Sequence, residues 1–305
     1  MTANPIIAFV GLGNMGRPMV GRLSAAGAQV RAFDASTAAM EAIRTAGVPT
    51  AGSLSEALEG ADVLITMLPA GRHVVSVCEE AYPRLGVGAL HIDCSSIDIA
   101  SAKAVHASAG ARGLLSVDAP VSGGTGGAEA GTLTFMLGGE ARAVEVARPI
   151  LQPMAGRIVQ CGEAAAGQAA KICNNMILGI SMIGVCEAFA LAEKLGLSHQ
   201  ALFDVASKSS GQCWSLTSYC PVPGPVPASP ANNGYKPGFA SALMAKDLGL
   251  SQAAADDAGV STPMGALARS LYDHLVGEGG GDQDFSAMIE FLRAGGPARP
   301  GGAAR

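Results

Sequence analysis

Two kinds of hydrophobic pattern divide the chain. In its first half, apolar positions come in short runs: Ile6–Val10, Gln29–Phe33, Asp62–Leu68, Leu90–Asp93, Leu114–Ala119, Thr132–Leu137 and Arg157–Gln160. Runs of this length, bounded by Gly, Pro or Asp, predict strands. Between them Arg17–Ala26, Ser53–Glu59, Ser101–Ala109 and Glu140–Pro149 read as helices. Strand and helix in alternation predict a parallel sheet with helices on its faces. From Ala164 the pattern changes. Residues 164–195 form one long, mostly apolar stretch with the character of a single helix. Gln200–Lys208, Ala240–Gly259, Pro263–Val276 and Phe285–Leu292 continue as helices. Residues 211–239 hold proline at a density that excludes regular helix or strand.

Composition narrows the class. Of 305 residues only 15% are charged, 49% are apolar and 41 are Gly, as in a globular chain with many tight turns. A net charge of −5 offers no basic footprint for nucleic acid. The seven Cys form no C-x-x-C pair and the His residues are scattered, so no metal site is expected. The N-terminal apolar run suits a strand rather than a signal peptide. Met176–Ala192 is short for a membrane span and contains Glu187, so a buried core helix is expected, in a cytoplasmic protein.

The first strand leads directly into Gly11-Leu12-Gly13-Asn14-Met15-Gly16 and then a helix. Strand, G-x-G-x-x-G and helix in that order form a dinucleotide-binding fingerprint. The first Gly makes the tight turn, the second admits the pyrophosphate, and the third lets helix pack on strand. Asp34 ends the second strand. An acid there bonds the ribose hydroxyls and repels a 2′-phosphate, which favours NAD over NADP. Residues at the C-terminal ends of parallel strands face the ligand crevice, which brings Leu68, Pro69 and Ser96 to the cofactor; Ser95 and Ser96 could equally cap the next helix. The expected fold is therefore α/β: a Rossmann-type domain over 1–163, an interdomain helix over 164–195, an all-α domain over 196–293 for substrate and dimerisation, and a disordered tail over 294–305.

Three stretches could carry chemistry. In Asp118–Gly131, Gly123 and Gly124 give a backbone whose N–H groups can nest a carboxylate, and Ser122 adds a hydroxyl. The same stretch reads equally as a plain hairpin loop. In the long helix, Lys171 shares a face with Asn174 and Asn175. A Lys among apolar neighbours is pushed toward its neutral form, which suits proton transfer, although its stem could also lie along a core with the amine in water. In residues 211–239, Trp214, Tyr219, Tyr235 and Phe239 suggest a packed pocket wall rather than a linker. We assign Trp214 to the substrate and Phe239 to the cofactor. Lys246 and Asp247 follow on the next helix.

These blocks together resemble the β-hydroxyacid dehydrogenases over about residues 5–293. The resemblance rests on residues 9–16, on Asp118-Ala119-Pro120-Val121-Ser122-Gly123-Gly124, on Gly167 to Asn175 and on Lys246-Asp247-Leu248. Cys213-Trp214-Ser215-Leu216 with Tyr219 and Pro221 to Gly224 points to the branch acting on 3-hydroxyisobutyrate. The resemblance implies NAD-dependent oxidation of that acid to methylmalonate semialdehyde in valine breakdown. It makes Lys171 the general acid/base, Ser122, Gly123 and Gly124 the carboxylate site, Asn175 a substrate-positioning residue, and Lys246 a contact to cofactor and substrate. It also implies a homodimer or homotetramer. Sister enzymes of 3-hydroxypropionate, L-serine or tartronate semialdehyde, and a non-catalytic dinucleotide-binding module, are the alternatives.

Overall fold

A computed structural model describes residues 4–296, so 297–305 of the expected disordered tail lie outside it. The chain forms two compact units, divided between Lys171 and Ile172, inside its longest helix.

The first unit is α/β. In chain order it comprises β1 (Ile6–Val10), α1 (Gly16–Ala25), β2 (Gln29–Phe33), α2 (Thr37–Thr45), α3 (Leu54–Ala57), β3 (Val63–Thr66), α4 (Gly71–Ala81), β4 (Leu90–Asp93), α5 (Ile99–Gly110), β5 (Leu115–Asp118), β6 (Val121–Ser122), α6 (Gly124–Ala130), β7 (Leu133–Gly138), α7 (Ala141–Leu151) and β8 (Ala155–Gly162). The sheet runs β2-β1-β3-β4-β5-β7-β6, with β8 beside β7. The five strands from β2 to β5 pair in parallel; β7 is antiparallel to β5 and β6 and parallel to β8. A single parallel bridge from Ala32 to Thr50 extends the order beyond β2. The chain reverses direction across the sheet at β1, so the glycine loop opens where Rossmann-type folds bind ligands. β3 and β4 are buried on both faces; β3 is apolar up to Thr66, whereas β4 carries the buried polar residues His91 and Asp93.

Four local features differ from the sequence expectation. Helix α2, capped by Ser36 through Ala39 N–H, follows Asp34 and is absent from the expected elements. Helix α4 is absent from the expected elements because its valines look strand-like, yet Val74, Cys78 and Ala81 fall on one buried helical face. The glycine-rich stretch after Ser122 is not a plain hairpin loop: Gly123 and Gly124 take φ of +136° and +62°, and the chain winds into α6. The cap of α5 is Asp98, whose side chain accepts from Ser101 N–H, so Ser95 is left for another task.

The second unit is built on α8 (Ala166–Lys194), which begins in the first unit. It continues through α9 (His199–Ala206), α10 (Trp214–Thr217), α11 (Ser241–Asp257), α12 (Pro263–Gly277) and α13 (Met288–Arg293). Met182, Ile183, Cys186 and Phe189 of α8 join Leu216, Met244, Leu248, Tyr272, Phe285 and Met288 in one core. Helix α8 is long and apolar enough to cross a membrane, but this face is committed to a protein core. Ile177 and Leu191 stay exposed on α8, as do Leu195 just past its end and Met264 and Leu267 on α12. Residues 211–239 are mostly irregular, with the one-turn helix α10 and a 3-10 turn at Pro230–Asn233. They are packed nonetheless: Ser215, Cys220 and Val222 are fully buried.

Candidate functional site

The loop after β1 shows why Gly is required at two of its positions. A Cβ on Gly11, at φ +102°, would lie 2.2 Å from Met67 O, and one on Gly16 would lie 1.9 Å from Gly11 O. Around Gly13, by contrast, a Cβ would meet nothing within 4 Å. That open space over the backbone, with Leu12, Asn14 and Met15 beside it, is the room a pyrophosphate needs. Asp34 closes the loop from β2: its Oδ2 accepts from Leu12 N–H at 2.7 Å and its Oδ1 from Ser36 N–H at 2.7 Å. The residues present therefore fit a dinucleotide.

Leu68 and Pro69 leave the end of β3, and Leu68 N–H donates to Ser95 Oγ at 2.8 Å. Ser96 follows, half-buried, past the end of β4. A buried polar chain supports this corner. Tyr82 OH donates to His91 Nδ1 (2.8 Å), His91 Nε2–H to Thr66 Oγ1 (2.9 Å), and Thr66 O–H to Asp93 Oδ1 (2.7 Å). Only the Nε2–H tautomer of His91 completes this chain. Asp93 Oδ1 also accepts from Ser95 N–H at 3.1 Å.

Burial lowers the His91 pKa from 6.5 to about 3, and burial raises that of Asp93 from 3.8 to about 6. The two act oppositely on stability. At His91 the unfolded chain binds the extra proton, so stability is lost as pH falls below 6.5 toward 3. At Asp93 the folded chain holds it, so stability is lost as pH rises from 3.8 through 6. Between these limits the slopes offset one another. Asp93→Asn is expected to expose the His91 slope, with unfolding free energy rising by up to about 1.4 kcal/mol per pH unit between about pH 4 and 6. Urea denaturation across that range measures it. A slope equal to that of the parent would remove Asp93 as the counterweight.

Lys171 is 8% exposed, and its Nζ donates to Val121 O at 2.8 Å. Val121 adjoins Ser122, Gly123 and Gly124, so the amine stands at the edge of the predicted nest. Within the first unit the structure thus brings Lys171 to the Ser122–Gly124 turn, and Asp34 to the glycine loop. The snorkelling alternative, with this amine in water, does not hold in this structure.

The other predicted residues belong to the second unit. Asn175 is buried and donates through Nδ2 to Asp247 Oδ2, and Asn174 donates to Asn175 Oδ1. Asp247 turns inward on α11, and its neighbour Lys246 is half-buried. Trp214 is 52% exposed and stacks on Tyr219 at 4.9 Å. Tyr219 stacks on Phe285, against which Phe239 packs edge-on. These rings pack against one another, with Trp214 on the outer face.

Two buried polar residues gain roles that the sequence did not assign them. Asp118 Oδ1 accepts from Ala165 N–H and Oδ2 from Gln168 N–H, so a carboxylate from β5 caps α8 across nearly fifty residues. His106 Nε2 approaches Asp118 Oδ1 at 2.8 Å. Gln168, fully buried, bonds Ser95 O and Ile97 N–H. The available signal was chemical: an acid and an amide set in otherwise apolar or small stretches.

Comparison with known proteins agrees with this geometry. Residues 6–162 match the family model described as the NAD binding domain of 6-phosphogluconate dehydrogenase. Residues 165–292 match that described as the NAD-binding of NADP-dependent 3-hydroxyisobutyrate dehydrogenase. A probable 3-hydroxyisobutyrate dehydrogenase of Mycobacterium tuberculosis is 50% identical over 288 residues, covering 94% of this chain and 98% of the relative. An NAD-dependent L-serine dehydrogenase of Pseudomonas aeruginosa is 46% identical over 285 residues, covering 92% and 96%. A solved structure of the Mycobacterium tuberculosis 3-hydroxyisobutyrate dehydrogenase with L-serine superimposes with a TM-score of 0.92 at 50% identity, over 95% of this chain and 99% of that one. With its NAD-type glycine loop, its helical second unit and relatives of this identity over nearly its full length, the chain belongs to the β-hydroxyacid dehydrogenases, NAD-dependent oxidoreductases acting on a CH–OH group.

Proposed function

We propose that the chain oxidises 3-hydroxyisobutyrate to methylmalonate semialdehyde, as a cytoplasmic step of valine breakdown. The observation that carries this reading is the buried Lys171 amine bonded to Val121 O, beside the Ser122–Gly124 backbone. In this reading Ser122, Gly123 and Gly124 hold the substrate carboxylate, with Lys246 adding positive charge. Asn174, Asn175 and Trp214 orient the rest of the substrate. Lys171, as the neutral amine, takes the proton of the substrate hydroxyl, and returns one in the reverse direction. NAD, once bound, supplies the hydride acceptor. Gly11 to Gly16 and Asp34 hold its adenosine end, while Leu68, Pro69, Ser96, Phe239 and Lys246 line the remainder.

The identities of the relatives support the substrate class, and one observation favours a second reading. A relative at 46% identity carries the name L-serine dehydrogenase, and the superimposed mycobacterial structure is one with L-serine. The two acids share a carboxylate and a β-hydroxyl, and an apolar pocket separates such side groups by only about 1–3 kcal/mol. Turnover of 3-hydroxyisobutyrate, 3-hydroxypropionate and L-serine with NAD, and of tartronate semialdehyde with NADH, decides between them. The first reading requires the highest kcat/KM for 3-hydroxyisobutyrate; a higher value for L-serine replaces it. The free thiols suit a reducing compartment, and the exposed Ile177, Leu191, Met264 and Leu267 suit assembly into a homodimer or homotetramer.

Asp34 supplies the negative charge at the end of β2. Asp34→Ala is expected to weaken NAD binding and narrow the preference for NAD over NADP, read as the ratio of kcat/KM for the two. An unchanged ratio would assign the choice to another residue.

A further inference from the structure

One side chain joins the strand end that carries Ser96 to the helix that carries Lys171. Gln168 is fully buried and lies one turn before Lys171 on α8. Its Nε2 donates to Ser95 O at 2.7 Å, and its Oε1 accepts from Ile97 N–H at 3.2 Å. The amide therefore brackets Ser96 on both sides. The backbone N–H of Gln168 is itself fixed by Asp118 Oδ2 at 2.8 Å. A neutral group that both donates and accepts can form this bridge without burying charge. Residues three apart share a helix face, so a shift of the Ser95–Ile97 backbone is passed to the turn that holds the Lys171 amine.

We infer that Gln168 is a positioning residue, setting the separation between the nicotinamide side of the site and the Lys171 amine. The inference rests on the roles proposed above for Ser96 and Lys171. Alcohol oxidation takes a hydride from the substrate carbon toward the nicotinamide side and a proton from the hydroxyl oxygen toward Lys171, and a misplacement of about 1 Å can cost about a hundredfold in rate. A side chain that merely glues the core would instead change the fraction of molecules folded and leave the chemistry of each folded molecule alone.

The test uses the full chain with Gln168→Met, which removes both hydrogen bonds, and Gln168→Glu, which keeps the shape and the acceptor toward Ile97 N–H. The substrate is the best β-hydroxy acid of the panel, with and without deuterium at the oxidised carbon. The expected result is a fall in kcat per folded molecule of about tenfold or more, with NAD affinity held within about threefold and a larger primary isotope effect on kcat, as hydride transfer becomes the slow step. Folded fraction is read by circular dichroism and NAD affinity by fluorescence. A smaller fall in kcat per folded molecule, with an unchanged isotope effect, overturns the inference. Should the Met variant not fold, the Glu variant carries the same readouts. Lys171→Ala is assayed in parallel to separate the acid/base role from the positioning role. If it keeps near-normal turnover, the acid/base reading fails and this inference falls with it. If it is inactive while the Gln168 variants keep parent-like chemistry, only the inference falls.

Discussion

Lys171→Ala is expected to leave NAD binding intact and to lower turnover at least about a hundredfold, a rise in the barrier of about 2.7 kcal/mol. The separation of the two effects follows from geometry. The glycine loop is shaped by contacts among Gly11, Gly16, Met67 and Asp34, none of which involves Lys171. The amine bonds instead to Val121 O, beside the proposed carboxylate site. Truncation to Ala removes the proton carrier and leaves Val121 O without that donor. Lys171→Arg sharpens the result. A guanidinium keeps the positive charge but does not deprotonate, so a role in charge alone would be largely rescued and a role in proton transfer would not. The measurements are NAD titration by fluorescence and steady-state turnover with the preferred β-hydroxy acid. Near-normal kcat in the Ala variant would exclude Lys171 as the acid/base.

The fold was legible where local chemistry and tertiary position demand the same residue. Gly11 and Gly16 could be recognised from spacing alone because the strand-loop-helix turn admits no Cβ at either place. Strand β3 stood out because burial on both faces makes it apolar up to Thr66. Helix α4 did not, because Val74, Val75 and Val77 favour a strand by propensity and only packing against the sheet selects the helix. Around the site, Lys171 was visible as a cation in an apolar stretch, and Asp34 as an acid at a strand end. The Gln168 bridge was not, since its partners are the backbone of Ser95 and Ile97, seventy residues away, and backbone groups leave no mark in a sequence. The His91 chain was hidden for a related reason: its members come from separate elements and meet only once β3, β4 and the turn after α4 have packed.

Asp118→Ala is expected to cost about 3 kcal/mol or more of stability, because one carboxylate answers three donors where water does not reach. Ala165 N–H lies 2.9 Å from Oδ1 and Gln168 N–H 2.8 Å from Oδ2, while His106 Nε2 stands 2.8 Å from Oδ1. The amides sit at the opening turn of α8, where the helix presents its positive end and an anion is most favourable. Ala165 itself is held at φ +68°, a left-handed conformation costly for a residue with a Cβ, and its bond to Asp118 helps to keep it there. Removing the carboxylate orphans both amides and releases that strained residue. For a chain of this size the loss corresponds to a fall in midpoint of about 5 °C or more by scanning calorimetry. Asp118→Asn retains one acceptor oxygen and is expected to lose less. A midpoint within about 1 °C of the parent would mean that solvent or a neighbouring group satisfies the amides equally well. Because the same turn carries Gln168 and then Lys171, the stability lost should come with lost turnover at temperatures where the variant is still folded. A residue that only stabilised the sheet would show the first effect without the second.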